Sequence, residues 1–344
     1  MFDVFFSTVN AVLPGLLLLT VLVIVHEWGH WVFLRRYGVF VNQFSVGFGK
    51  ALLSFTDKNG TEWRLSPIFL GGYVTFPYTF NDIPDRVKGK VDAQSVFNAK
   101  EPYQRAMVML GGPLVNIVLS FLILVIFSFF CGTPSSTIVS PGSFEEIQVG
   151  DKLLSIENKA IDFANPEWCL RKMQNFSVER NGCTHEVHLK TETSLHEKAV
   201  SFDMQGAGTW GAVVYGGRVF YFGVKRMMGL LSLLFSGDIS NLRGMPTIFK
   251  SATKRWSDGL AGFVLFSAMI SLSLGIFNLL PIPALDGGHL LLLGISVIFR
   301  KGKPLPIFLE KIISYGFFGL LMAVILFVNI RDICQLESVQ KLFA

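Results

Sequence analysis

Charge is scarce in this chain. Only 16% of its 344 residues are Asp, Glu, Lys or Arg, against roughly a quarter in soluble proteins, and its mean hydropathy is +0.49. That excludes a wholly soluble globular protein and leaves a multi-span membrane protein with one modest soluble domain. Cysteine is scarce too: Cys131, Cys169, Cys183 and Cys334 are scattered, with no CxxC. They offer no disulfide framework beyond a Cys169–Cys183 pair in an oxidising compartment. No basic patch is interleaved with aromatics, so the net charge of +5 implies no nucleic-acid partner; basic residues beside spans account for it. The N-terminus has Asp3 and no basic n-region, so no cleavable signal is expected. Internal repeats and low-complexity segments are also missing.

What is plentiful is uninterrupted apolar sequence. Val4–Val25 (continuing as helix to about Leu34), Ala106–Cys131, Leu260–Leu285 and Ile312–Ile330 lack charge almost throughout, and each is about the 20 residues that a span requires. Arg35 and Arg36 follow the first, Lys100 and Arg105 precede the second, and Arg300, Lys301 and Lys303 separate the last two. By the positive-inside rule those ends face the cytoplasm, and both termini and 132–259 face the other side. The domain order expected is a first span over 1–36 and a β region over 37–104, then a second span over 105–131 and a soluble domain over 135–204. An interfacial linker over 205–258, a third span over 259–290, a loop over 291–311, a fourth span over 312–330 and a tail over 331–344 complete it.

Within the first span lies His26-Glu27-Trp28-Gly29-His30. Four residues apart on a helix, His26 and His30 share one face and can grip one Zn²⁺, while Glu27 can take a proton from water at the metal. Glu27 lies nine residues before Arg36, about 14 Å along a helix, hence below the membrane surface. Each ionisable group inside a span costs about 2.5–3.5 kcal/mol, so three within five residues read as a metal site rather than filler. A catalytic zinc takes three protein ligands. Asp286 is the best third donor, because Pro281 and Pro283 break the third span just before it and a broken helix at that depth lines protein or a wet cavity. His289 is its rival.

Between the first two spans, Asn42–Gly49 and Thr61–Thr75 alternate apolar and polar residues around a Lys58-Asn59-Gly60 turn, which is hairpin grammar. The aromatic content places it at or in the membrane interface, where an extended substrate could pair with it. The second span opens with Gly111-Gly-Pro-Leu-Val-Asn116: small residues for close helix approach and a polar group at membrane depth. Residues 135–204 read as short strands and turns, and His185 and His188, at i and i+3 in a strand, point to opposite faces, against a second metal site. Met227–Phe235 is apolar but too short to cross, so an interfacial helix is expected.

The pairing of His26-Glu27-x-x-His30 with Asn278-Leu-Leu-Pro-Ile-Pro-Ala-Leu-Asp286-Gly-Gly resembles the site-2 protease family of intramembrane zinc metalloproteases, in its four-span bacterial, RseP-type branch. Ser45-Val-Gly-Phe-Gly49, Leu70-Gly-Gly-Tyr-Val74, Gly111–Asn116 and Gly244-Met-Pro246 are similar to that branch in the same order. The resemblance implies a multi-pass α-helical membrane protein with four transmembrane helices, a membrane-associated β-hairpin region and one PDZ-like α+β domain. The last rests on Gly150-Asp-Lys-Leu-Leu-Ser-Ile-Glu-Asn-Lys, although Ile147-Gln-Val149 departs from the usual Ala-Gly-Leu. It implies Zn²⁺ on His26, His30 and Asp286, with Glu27 as general base. Gly71, Gly72 and Tyr73 would meet the substrate by strand pairing, Asn278, Pro281 and Pro283 would hold it, and Asn116 would be an oxyanion donor. The partners implied are the lipid bilayer of a bacterial inner membrane and single-pass transmembrane substrates, such as an anti-sigma factor or a remnant signal peptide. Two other classes compete: a catalytically silent scaffold, which should lack Glu27 or a ligand, and a zinc transporter, which should carry polar residues along a whole path.

Overall fold

The computed structural model describes residues 2–89, 91–144, 146–165, 173–195, 200–236, 244–257, 259–300 and 306–334. Contacts divide the chain into two units, Met1–Leu119 with Leu233–Ala344, and Ser120–Ser232. Segments of helix long and apolar enough to cross a membrane are Val12–Arg36, Pro102–Cys131, Leu260–Asn278 and Ile312–Cys334. Their outer faces stay apolar and open, with Leu320 and Leu326 each 61% exposed, as expected of surface that lipid rather than water covers.

The first unit is built on α1 (Phe2–Arg36) and the first part of α3 (Pro102–Cys131). They meet through glycine: a Cβ on Gly29 would strike the Gly111 backbone, and one on Gly111 would lie 2.6 Å from the Gly29 carbonyl. Small residues let helix backbones approach this closely. Below the crossing, Leu34, Val39, Val41, Phe97, Val108 and Met109 form a buried cluster.

The stretch expected as a hairpin is a four-stranded sheet, ordered β2-β3-β1-β4, from β1 (Gln43–Phe48), β2 (Leu53–Thr56), β3 (Glu62–Leu65) and β4 (Ile68–Thr75). The local β2–β3 hairpin is antiparallel, but β1 pairs β3 in parallel, Gln43 opposite Glu62, and pairs β4 antiparallel. The turn before β3 is held by Asp57, which accepts from the Asn59 and Thr61 N–H groups and from the Trp63 indole. Burial opposes the charge on Asp57, yet these bonds hold its carboxyl below the usual range. A short helix, α2 (Asp85–Lys88), precedes α3. β4 is an edge strand and lies along α1: Thr20 Oγ1 donates to the Phe69 carbonyl, Gly71 sits over Val23, and the Val74 N–H reaches Glu27. This sheet therefore rides on a span.

The second unit contains β5 (Thr133–Ser140), β6 (Lys152–Ile156), β7 (Lys159–Ala160), β8 (Met173–Arg180), β9 (Cys183–Thr193) and β10 (Ser201–Gln205), followed by α4 (Gly208–Phe235). The sheet order is β10-β5-β6-β8-β9, with β7 on β6. Glu157 and Asn158 both adopt left-handed backbone, as does Asn181-Gly182 in the β8–β9 loop. Two-residue turns of that kind match strand twist. Ile138, Leu153, Ile156, Met173, Phe176 and Val178 fill the core. His188 bonds Asn175 across strands, and no metal cluster involves either histidine among the described residues. Cys169 of the expected cysteine pair lies outside them.

Elsewhere the expected boundaries shift. The linker expected over 205–258 contains α4 and α5 (Met245–Ser257), so Met227–Phe235 ends a long helix instead of forming its own. The third span stops earlier, at the end of α6 (Leu260–Asn278), and the loop expected from 291 is helix up to Arg300 in α7 (Asp286–Arg300). The last span is the greater part of α8 (Ile307–Cys334). The Gly244-Met-Pro246 segment starts α5 and is capped by α8: Asp332 accepts from the Gly244 N–H and the Thr247 hydroxyl, and Asn329 from the Met245 N–H. On its other face α5 closes a cluster of Leu18, Leu22 and Ala252.

Candidate metal centre

α1 presents His26 and His30 on one face, both buried, and their Nε2 atoms lie 3.2 Å apart. Asp286 opens α7, the helix that restarts after the break at 279–285. Its Oδ2 lies 3.1 Å from His26 Nε2 and 3.4 Å from His30 Nε2. The break folds tightly because Gly287 and Gly288 rest directly on the Leu279 and Ile282 carbonyls, where no side chain would fit.

The three donors thus form a triangle with edges of 3.1, 3.2 and 3.4 Å. Ligands about 2.0–2.1 Å from a tetrahedral zinc lie about 3.3 Å from one another. One carboxylate and two imidazoles also suit zinc chemically. This triangle fits the ion. Among the described residues it is the one cluster of three such donors, and His289, the rival ligand, stands outside it.

The second span supplies the rest of the setting. His30 Nδ1 lies 2.7 Å from the Val108 carbonyl, a bond that leaves Nε2 to face the triangle. Pro113 has no N–H for the Met109 carbonyl one turn back, and so disturbs the ladder at this turn. A Cβ on Gly112 would lie 2.6 Å from His26 Nε2 and closer still to His30 Nε2. Asn116, fully buried, places its side-chain amide 3.2 Å from His26 Nδ1. Ser271 of α6 donates to the Asn116 backbone carbonyl at 2.8 Å. Gly111–Asn116 therefore does more than permit close packing: it is the wall behind both histidines. The i, i+4 spacing of Gly112 and Asn116 was visible in the sequence, but nothing there said that His26 and His30 were opposite.

A cavity of about 270 Å³ opens on the triangle, lined by His26, Glu27, His30 and Asp286 with Val74, Phe76, Tyr78, Met109, Asn278, Ala284, Leu285 and His289. Glu27 borders it with Oε2 accepting from the Val74 N–H at 3.1 Å. Asn278 lines it while donating to Leu274 of its own helix. The other residues expected at the substrate sit elsewhere. Gly71 and Gly72 are buried, Gly72 against the Ser45 carbonyl. Tyr73 stacks on Phe48 and meets Gln43. Pro281 is exposed, and Pro283 is buried under Gly288. Asn116 touches His26 from behind.

The family model described as Peptidase family M50 matches residues 14–324, a range that takes in most of α1 with both histidines, Asp286 and most of α8. The chain belongs to peptidase family M50. It is a zinc metalloprotease with helices fit to span a membrane. A Brucella suis protein named as a candidate zinc metalloprotease is 30% identical over 365 residues, covering 94% of this chain and 95% of its own. The zinc metalloprotease RasP of Oceanobacillus iheyensis is 26% identical over 428 residues, covering 95% and 99%. The metalloprotease MmpA of Caulobacter vibrioides is 29% identical over 347 residues, covering 83% and 86%. In this M50 chain the matched range joins the two helices that bear the donor triangle, which lie 260 residues apart in sequence.

Proposed function

We propose that this M50 protease cuts a peptide bond within or near the transmembrane segment of single-pass membrane proteins, as in regulated intramembrane proteolysis. One observation carries the reading: a zinc-sized donor triangle with a carboxylate beside it, on a helix that is itself a span. His26, His30 and Asp286 hold the ion. When bound, zinc supplies Lewis acidity, polarising a carbonyl and making water acidic enough to lose a proton near neutral pH. Glu27 accepts that proton on its carboxylate and hands it to the amine that leaves. The Val74 N–H keeps the carboxylate turned toward the cavity.

A substrate helix hides its carbonyls in its own hydrogen bonds and must unwind to be cut. The edge of β4, which runs along α1 as far as Glu27, offers backbone groups to an extended segment. Gly71, Gly72 and Tyr73 contribute by letting β4 lie there, and Asn278, at the rim with the Pro281–Pro283 break beyond it, holds the strand near the metal. The basic loops favour an orientation with the site toward the cytoplasm, and the family resemblance favours a bacterial inner membrane. The sheet domain over 135–204 is then the PDZ-like, periplasmic part, admitting substrates already trimmed.

Glu27→Gln tests this. Cleavage of a single-span substrate in detergent or liposomes should fall by at least about 10²-fold, with zinc content unchanged. Cleavage that persists overturns the mechanism.

A further inference from the structure

We infer that Asn116 is a positioning residue that sets which ring nitrogen of His26 carries the proton, and through it the grip on the metal. The inference rests on the zinc reading of His26, His30 and Asp286.

His26 has two ring nitrogens with different neighbours. Nε2 faces Asp286 at 3.1 Å and His30 at 3.2 Å; Nδ1 faces the Asn116 amide at 3.2 Å. With Nε2 protonated, it donates to Asp286, and Nδ1 accepts from the Asn116 NH₂. To ligate a metal, Nε2 must present its lone pair, so the proton sits on Nδ1 and needs an acceptor. The Asn116 amide provides one by turning over, since it has an oxygen on one side and an NH₂ on the other. Its oxygen is buried with no hydrogen-bond partner, so the rotation breaks no bond except the one to His26, which it replaces, and exchanges one unpaired polar atom for another. His30 needs no such partner, because the Val108 carbonyl only accepts and holds Nδ1 protonated in both states. Asn116 is fully enclosed and cannot touch substrate. Of the common side chains, an amide serves both states of His26; a carboxylate serves only the metal-bound one, and an alkyl group neither.

The test is zinc affinity of the full chain in detergent, read by competition with a chromophoric chelator, with circular dichroism of the zinc-free forms as the check on folding. Asn116→Leu, similar in volume, should bind zinc about 10- to 100-fold more weakly, and Asn116→Asp should return to within a few-fold of wild type or bind more tightly. Rescue by Asp is not expected of a residue that only fills space. If Asn116→Leu binds as tightly as wild type, or if Asn116→Asp is as weak as Asn116→Leu, the inference fails while the zinc reading stands. If the wild-type chain takes up no zinc, both fail. Should Asn116→Leu not fold, Asn116→Asp alone decides: affinity 10-fold or more below wild type overturns the proposal.

Discussion

Gly112→Ala puts one methyl group where the histidines meet. Its Cβ would stand 2.6 Å from His26 Nε2 and 2.7 Å from His26 Cε1, and closer still to His30 Nε2. Non-bonded heavy atoms settle near 3.5 Å, so about 0.8–1.1 Å of overlap must be relieved. α3 cannot easily withdraw, because the Gly29–Gly111 crossing and the Leu34, Val108 and Met109 cluster hold it on α1. The imidazoles can rotate, but only by breaking the bonds to Val108 and Asn116, at roughly 1 kcal/mol each. Overpacking of this kind costs about 1–3 kcal/mol, and the helix preference of Ala over Gly returns about 1 kcal/mol. The fold should therefore survive with a modest change in Tm. The triangle should not: a displacement near 1 Å takes both nitrogens out of coordination. Zinc affinity should fall at least about 100-fold, and cleavage with it. The assay is zinc per chain by plasma mass spectrometry after equilibration in a metal buffer, beside thermal unfolding of the same sample. A variant with one zinc per chain and wild-type cleavage would refute the reasoning.

Asp286→Asn keeps size but removes the anionic donor, so zinc occupancy at a fixed buffered concentration should drop severalfold; unchanged occupancy would return His289 to consideration. Asp332→Ala removes the acceptor for the Gly244 N–H and the Thr247 hydroxyl, a helix cap worth about 1–2 kcal/mol. Amide exchange should quicken over Met245–Ser257 and leave α3 unchanged, and uniform protection would contradict it. In the sheet domain, Asp151 is buried and paired with Arg180 at 2.7 Å, and that bond holds its carboxyl below the usual range. A depressed carboxylate stabilises the fold above its ordinary pKa, about 3.9, and loses that contribution as pH falls through its lower folded value. Acid unfolding of the domain below about pH 4 should accordingly be steeper in wild type than in Asp151→Asn; equal slopes would sink the assignment.

Much of this protein was legible locally. Uncharged runs of about 20 residues can be read off directly, because a bilayer demands them whatever the partners. The i, i+4 spacing of His26 and His30 needs only helix geometry, and Pro281 and Pro283 break a span in any context. The family resemblance drawn from these motifs agrees with the M50 match over residues 14–324.

Other features depend on residues far apart in the chain, and these only the tertiary structure decided. Nothing local says that β1 pairs β3 in parallel, since the two strands are separated by β2 and its turns and meet only in the folded sheet. The sequence alone suggests a loop after 291 where the structure has helix from Asp286 to Arg300, because a short apolar stretch following a break has no period of its own that outweighs the basic residues at its end. Asp286 and His289 are one turn apart on the same face of α7 and both line the cavity, so the choice between them turns on which reaches the histidines, a matter of packing across 260 residues. Gly112 and Asn116 likewise acquire their meaning only because the Gly29–Gly111 crossing brings α3 against the histidines. Sequence determined the chemistry of the donors, because side-chain identity is local; only the fold could bring their lone pairs to within 3.4 Å of one another, because that distance is the outcome of three helices packing.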